Sequence, residues 1–258
     1  MMLEVRGLSI DFGGVHAVDD VHLRVDEGEV VGLIGPNGAG KTTVFNLLTG
    51  LYRPTRGAVT LHGKSLLGLS PSWIARRGVA RTFQNIRLFR ALSVFDNVRI
   101  ALHAGVGYGV LEAFLHCTPR FAREERRIAR QAEELLALFG LAEQRDVPAE
   151  SLPYGQQRRL EIARALASGP RLLLLDEPAA GMNPQETMEL VRLLRDIRER
   201  FALTILLIEH DMRLVMNLCE RIYVLEYGKL IAEGTPAEIQ HNPLVIEAYM
   251  GENVKSEE

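Results

Sequence analysis

The chain has 258 residues, 47% of them hydrophobic and 24% charged, with a formal net charge of −3. That length supports one large domain or a domain with a subdomain, and the balance excludes a disordered or fibrous chain. A charge so close to neutral leaves no electrostatic footprint for nucleic acid, so none is expected as a partner.

No apolar run reaches the roughly 18 residues of a spanning helix. Glu4 and Arg6 stand where a secretory leader would be apolar. The expectation is a cytoplasmic chain that meets a membrane only through partner chains. The two cysteines, Cys117 and Cys219, lack the spacing of a zinc site or a disulfide framework and are read as plain and reduced.

In chain order, Leu3, Val5, Leu8 and Ile10, then Val21, Leu23 and Val25, alternate with polar residues around a Gly13-Gly14 turn, as a half-exposed antiparallel edge does. Val30 to Ile34 has no polar face and reads as a strand buried on both sides. A glycine-rich turn over 35–40 leads into a short helix ending near Gly50. From about Leu88 to Ser168 the period becomes helical, with the run Arg123-Glu124-Glu125-Arg126-Arg127 expected on a solvated helix face with i,i+4 pairs, and with glycines at 105, 107 and 109.

The buried-strand signal returns at Leu172 to Leu175, ending in Asp176-Glu177, and at Leu203 to Ile208, ending in Glu209-His210. Between them Asn183-Pro184-Gln185-Glu186 reads as a helix start: an Asn cap, Pro at the first position and Glu three after the cap. Strands alternating with helices define an α/β layer fold. Beyond Pro236 only a short tail, charged at its end, is expected.

Gly35-Pro36-Asn37-Gly38-Ala39-Gly40-Lys41-Thr42 matches the phosphate-loop pattern between a buried strand and a helix. Glycines let successive N–H groups converge on a phosphate at a helix N-terminus, Lys41 adds a charge for the β/γ-oxygens, and the Thr42 hydroxyl is placed to ligate Mg²⁺. Asp176, at the carboxyl end of its strand, suits the Mg²⁺ shell; Glu177 suits orientation and activation of an attacking water.

With these motifs, Arg81-Thr82-Phe83-Gln84 and the histidine at 210 make the chain resemble an ATP-binding cassette ATPase. Leu152-Pro153-Tyr154-Gly155-Gln156 resembles that family's signature motif, with Pro153 for its serine and Tyr154 for its first glycine. Pro153 has neither hydroxyl nor N–H, so contact with the other subunit's nucleotide would pass to backbone around Gly155 and the helix that follows. The Tyr-Gly signature, Arg81 to Phe89, Glu177 to Pro184 (with Asn183 where most cassettes have an aspartate), Ile208 to Met212 and the extra length at 104–120 narrow the resemblance. They point to the LivG-type ATPases of high-affinity branched-chain amino acid importers.

The resemblance implies an α/β P-loop NTPase (RecA-like) core with an N-terminal antiparallel β subdomain over 1–87 and 169–235, an inserted helical subdomain over 88–168 and a short tail over 236–258. ATP and Mg²⁺ are the implied cofactors. The nucleotide would be held by Phe12 stacking on adenine, by Gly35, Pro36, Asn37, Gly38, Ala39, Gly40, Lys41, Thr42 and Thr43, and by Tyr154, Gly155 and Gln156. Thr42, Gln84 and Asp176 would serve the metal, and Glu177, His210, Gln84 and Lys41 hydrolysis.

The implied partners are two integral-membrane permease subunits, a second cassette (a copy or a related chain) and, indirectly, an extracytoplasmic amino-acid-binding protein. The implied place is the cytoplasmic face of the inner membrane. The alternatives are a cassette ATPase of lipopolysaccharide export and a soluble, non-transport cassette ATPase.

Overall fold

The computed structural model describes residues 1–103 and 119–255; Cys117, the glycines at 105–109 and almost all of the 104–120 length lie outside the described residues. The chain divides into two compact units, Thr82–Pro170 and a unit formed by Met1–Arg81 with the chain from Arg171 onward. The division falls at 81/82, not at the 87/88 boundary expected from sequence, because side chains of the second unit hold the backbone of 83–87.

The larger unit begins with β1 (Leu3–Phe12) and β2 (Val15–Val25), an antiparallel pair joined by the Gly13-Gly14 turn. Next come β3 (Val30–Ile34), α1 (Lys41–Leu48), β4 (Arg56–Leu61), β5 (Lys64–Ser65), α2 (Pro71–Arg76) and β6 (Val79–Arg81). The smaller unit carries α3 (Val94–His103), α4 (Pro119–Leu138) and α5 (Tyr154–Ala167). The chain then returns through β7 (Leu172–Asp176), α6 (Pro184–Phe201), β8 (Thr204–Ile208), α7 (Met212–Leu218), β9 (Arg221–Glu226) and β10 (Lys229–Gly234). It closes on α8 (Pro236–Gln240) and α9 (Pro243–Lys255). The tail is thus helical. Thr235 and Glu238 form a capping box with Pro236 at the first position, the same device that Asn183 and Glu186 provide for α6.

Two sheets build the larger unit, an antiparallel one in the order β2-β1-β4-β5 and a mixed one in the order β10-β9-β3-β8-β7-β6. All neighbours from β9 to β6 are parallel and only β10 runs against its neighbour. Val44, Phe45, Leu47 and Leu48 of α1 lie in one apolar cluster with Val5, Val18 and Val59 of the first sheet and Leu33, Leu174 and Leu206 of the second. Leu173, Leu175, Ile205 and Leu207 are as fully buried but stand outside that cluster, as the two-residue period requires of strands covered on both faces.

In the smaller unit the three helices pack on one another around Val98, Ile128, Leu136, Phe139 and Leu160. The charged run lies on α4. Arg127 pairs there with Glu124, three residues apart, and Glu125 lies 3.3 Å from His103 of α3.

Candidate active site

Strand register places the chemistry. Leu33 of β3 pairs with Ile208 of β8, and Ile208 with Asp176 of β7. The glycine loop after β3, the Glu209-His210 segment after β8 and Glu177 after β7 therefore leave the sheet from one row of residues, roughly 5 Å apart from strand to strand. This carboxyl edge is where open α/β sheets bind ligands.

The loop is shaped by close backbone approach. At Gly35 (φ 147°) a Cβ would stand 1.9 Å from the carbonyl oxygen of Leu225, and at Gly40 (φ 104°) 2.4 Å from that of Ala17. No side chain fits at either position. Gly40 caps α1 without a side-chain hydrogen bond, and no acidic residue stands in the first turn. The N-terminus of α1 thus presents the positive end of its helix dipole, where an anion is favoured. The buried Lys41 donates from Nζ to the carbonyls of Gly35 and Pro36, 2.7 Å each, which stations the ammonium inside its own loop. Gly35, Pro36 and Ala39 are buried, Asn37, Gly38 and Thr42 exposed, and Gly40 and Thr43 half-buried.

Asp176 is 1% exposed, and Arg81 of the adjacent β6 donates to its Oδ2 at 2.7 Å. The same guanidinium reaches Asn46 Oδ1 at 2.8 Å and Thr49 Oγ1 at 3.3 Å, tying the Asp176 carboxylate to the end of α1. Glu177 adopts φ 48°, a left-handed conformation unfavourable for a non-glycine residue. Its Oε1 lies 3.8 Å from His210 Nδ1, so the structure brings these two together.

Glu209, which the sequence showed only as the residue before His210, is 1% exposed. Its carboxylate accepts N–H bonds from Ala179 at 2.7 Å, His210 at 3.0 Å and Asp211 at 3.1 Å. Burial pushes its carboxyl above the usual range, and these amides pull the other way. Asn183 spends its side chain on the cap of α6, accepting from Gln185 and Glu186, a task an asparagine performs as well as an aspartate.

Phe12 ends β1, 44% exposed, and its ring meets Tyr52 edge-on with centroids 5.3 Å apart. Tyr52 went unread in the sequence because nothing near it marks the pairing.

The remaining candidates belong to the smaller unit. Gln84 is exposed in the segment leading to α3. Tyr154, 46% exposed, Gly155 and Gln156 form the first turn of α5, which Pro153 caps without a side-chain bond. The hydroxyl of Tyr154 accepts from Arg158 at 2.9 Å.

The donor set fits a magnesium–nucleotide. Thr42 and Asp176 offer hard oxygens, Lys41 a point charge, and α1 an uncapped N-terminus. Among the described residues no group of three or more His, Cys, Asp or Glu could hold a metal by itself. A magnesium ion would thus draw part of its shell from substrate phosphates.

Residues 18–180 match the ABC transporter family, and residues 229–255 match the branched-chain amino acid ATP-binding cassette transporter family. The chain is 51% identical to the high-affinity branched-chain amino acid transport ATP-binding protein LivG of Salmonella typhimurium, over 97% of this chain and 98% of that one. Identity to the corresponding BraF of Pseudomonas aeruginosa is 50%, with the same coverage. It falls to 40%, over 97% of each chain, for the lipopolysaccharide export system ATP-binding protein LptB of Acidithiobacillus ferridurans.

The crystal structure of the ADP conformation of an ATP-binding cassette of an ABC transporter superposes with a TM-score of 0.84, at 30% identity, over 97% of this chain and 98% of that one. A dimeric ATP-binding cassette in a post-hydrolysis state, bound to ADP and Pi, gives a TM-score of 0.77 at 25% identity, over 91% of this chain and 99% of that one. By motif, fold and family match together, the chain belongs to the ATP-binding cassette ATPases of ABC transporters.

Proposed function

We propose that the chain is the ATP-hydrolysing subunit of an importer for branched-chain or related amino acids. The observation that carries this reading is the C-terminal match at 229–255 together with near-complete coverage of relatives named for that transport. The lipopolysaccharide-export relatives, at lower identity, make the second reading. Among the described residues no helix is long and apolar enough to cross a membrane, so translocation falls to partner chains.

In this reading the glycine loop and Lys41 bind the phosphates, Thr42 and Asp176 hold the magnesium, and Phe12 stacks on the adenine. When bound, magnesium neutralises phosphate charge as it develops. Glu177 orients and accepts a proton from the attacking water, while His210, 3.8 Å away, donates toward the γ-phosphate. Gln84 senses the metal and the water. The first turn of α5, with Tyr154, Gly155 and Gln156, faces the nucleotide of a second cassette. Two permease subunits receive the closure, and an extracytoplasmic binding protein delivers the amino acid. Closure follows because nucleotide favours the closed pair by its differential affinity.

The test is affinity capture of the Glu177→Gln variant from detergent-solubilised membranes with Mg-ATP. Recovery of two hydrophobic permease chains, and ATPase of the wild-type assembly stimulated by a branched-chain amino acid, is the expected outcome. Recovery of ribosomal or DNA-bound proteins alone overturns the transport reading. Recovery of lipopolysaccharide-export components overturns the substrate.

A further inference from the structure

Among the described residues Arg158 has the largest fully buried side chain, with 1% of the residue exposed. A buried guanidinium is costly unless its donors find partners, and here both terminal nitrogens do while the buried Nε does not. Here one nitrogen donates to the carbonyl of Phe83 at 2.7 Å and to Glu161 Oε2 at 3.2 Å. The other donates to the carbonyl of Gln84 and to the Tyr154 hydroxyl. The guanidinium carbon also stands 5.4 Å from the centre of the Tyr154 ring. Glu161 continues the chain of contacts, its Oε1 accepting the Arg87 N–H at 3.1 Å. Two side chains of α5, Arg158 and Glu161, thereby grip the backbone of 83, 84 and 87, residues far away in sequence, and the Tyr154 hydroxyl braces Arg158.

Two of the grip's features have no use in folding α5 itself. The forked donors of Arg158 point at peptide carbonyls outside its own helix, a geometry lysine does not reproduce. Tyr154 stands where the family signature has a glycine, and its hydroxyl adds a bond that glycine lacks. We propose that Arg158, steadied by the Tyr154 hydroxyl, is a positioning residue for hydrolysis: it latches the Phe83–Gln84 peptide to the signature helix, so that the backbone presenting Gln84 moves as one body with the signature turn. The role rests on the reading of Gln84 and the signature as parts of the nucleotide site.

The variants are Arg158→Lys, which keeps the charge but loses the fork, and Tyr154→Phe, which keeps the ring but loses the hydroxyl. Turnover is measured in the assembled complex. Amide hydrogen exchange and binding of a fluorescent ATP analogue are measured on the purified chain. Arg158→Lys should lower kcat about tenfold or more with KM within about twofold, since misplacement by about an ångström has effects of that size. Tyr154→Phe should lower it about threefold, less than Arg158→Lys because one charge-assisted bond to the guanidinium is lost while its bonds to the carbonyls remain. In both, amides of 84–88 should exchange faster while Val98 and Leu136 keep their protection, and analogue binding should stay within about twofold of wild type.

Wild-type kcat in both variants overturns the positioning role, and unchanged exchange at 84–88 overturns the latch. Loss of protection throughout the helical unit in both variants reduces Arg158 to core packing and overturns the proposal as well. Failure of the unsubstituted chain to bind the analogue would instead overturn the nucleotide-site reading, and the positioning role with it.

Discussion

Replacing Glu209 with alanine removes the shared acceptor of three N–H groups. The Ala179 bond is buried, whereas those from His210 and Asp211 are partly accessible and recover some solvation from water. An unsatisfied buried donor costs about 1–3 kcal/mol. One full and two partial losses, less the relief of desolvating a carboxylate, come to about 3 kcal/mol of destabilisation. In a unit of this size that corresponds to a fall in Tm of about 6–12 °C.

The assay is calorimetry of the purified chain, with steady-state ATP hydrolysis and analogue binding measured in parallel. Turnover should fall more than binding, because His210 and the stretch after Glu177 are what the carboxylate tethers. Glu209→Gln, which keeps one acceptor oxygen, should fall between. A Glu209→Ala chain that melts within about 2 °C of wild type and turns over normally would refute the argument that this carboxylate organises the site.

Lys41→Ala removes the ammonium held at the Gly35 and Pro36 carbonyls and should weaken ATP-analogue binding by more than about tenfold, one charge-assisted contact's worth, as read by fluorescence titration. Phe12→Ala should weaken binding of ATP and GTP analogues alike by about tenfold, since stacking is indifferent to the base, whereas an unchanged affinity would make the Phe12–Tyr52 pair purely structural. Burial raises the Glu161 carboxyl above its ordinary 4.5, outweighing its amide bond to Arg87 and the Arg158 charge. A raised folded value contributes stability that is present below the unfolded value and is lost as pH rises through the folded one. The Tm advantage of wild type over Glu161→Gln should therefore shrink from pH 4.5 upward; an advantage that grows with pH would mean the Arg158 ion pair outweighs burial.

The strands that position the chemistry were legible because a strand covered on both faces leaves an unbroken apolar run, and Leu172 to Asp176 and Thr204 to Ile208 appear where those runs stand. The cap of α6 was legible from four residues. The equivalent cap at Thr235 to Glu238 starts a helix of only five residues, too short to show a period in the sequence. β6, with three residues, is too short to show a period.

The unit boundary was illegible for a different reason. It is set by Arg158 bonding a carbonyl 75 residues away, and no local pattern encodes that partner. Tyr154 looked like an unexplained departure from the family signature. Its meaning lies in an i,i+4 relation to Arg158 that shows only once both residues share a helix. Glu209 carried no periodic signal, since its partners are backbone amides.

The Tyr227-Gly228 hairpin turn leans on the phosphate loop. Gly228 donates to the Ala39 carbonyl at 2.9 Å and accepts from the Asp19 N–H at 2.8 Å, while Leu225 leaves no room for a side chain at Gly35. For anyone grafting the C-terminal module of one cassette onto another, the seam therefore has a natural place. A junction before Leu225 brings in a foreign hairpin that must fit the host's loop to within a few tenths of an ångström, whereas one after Gly234 leaves host hairpin and host loop matched.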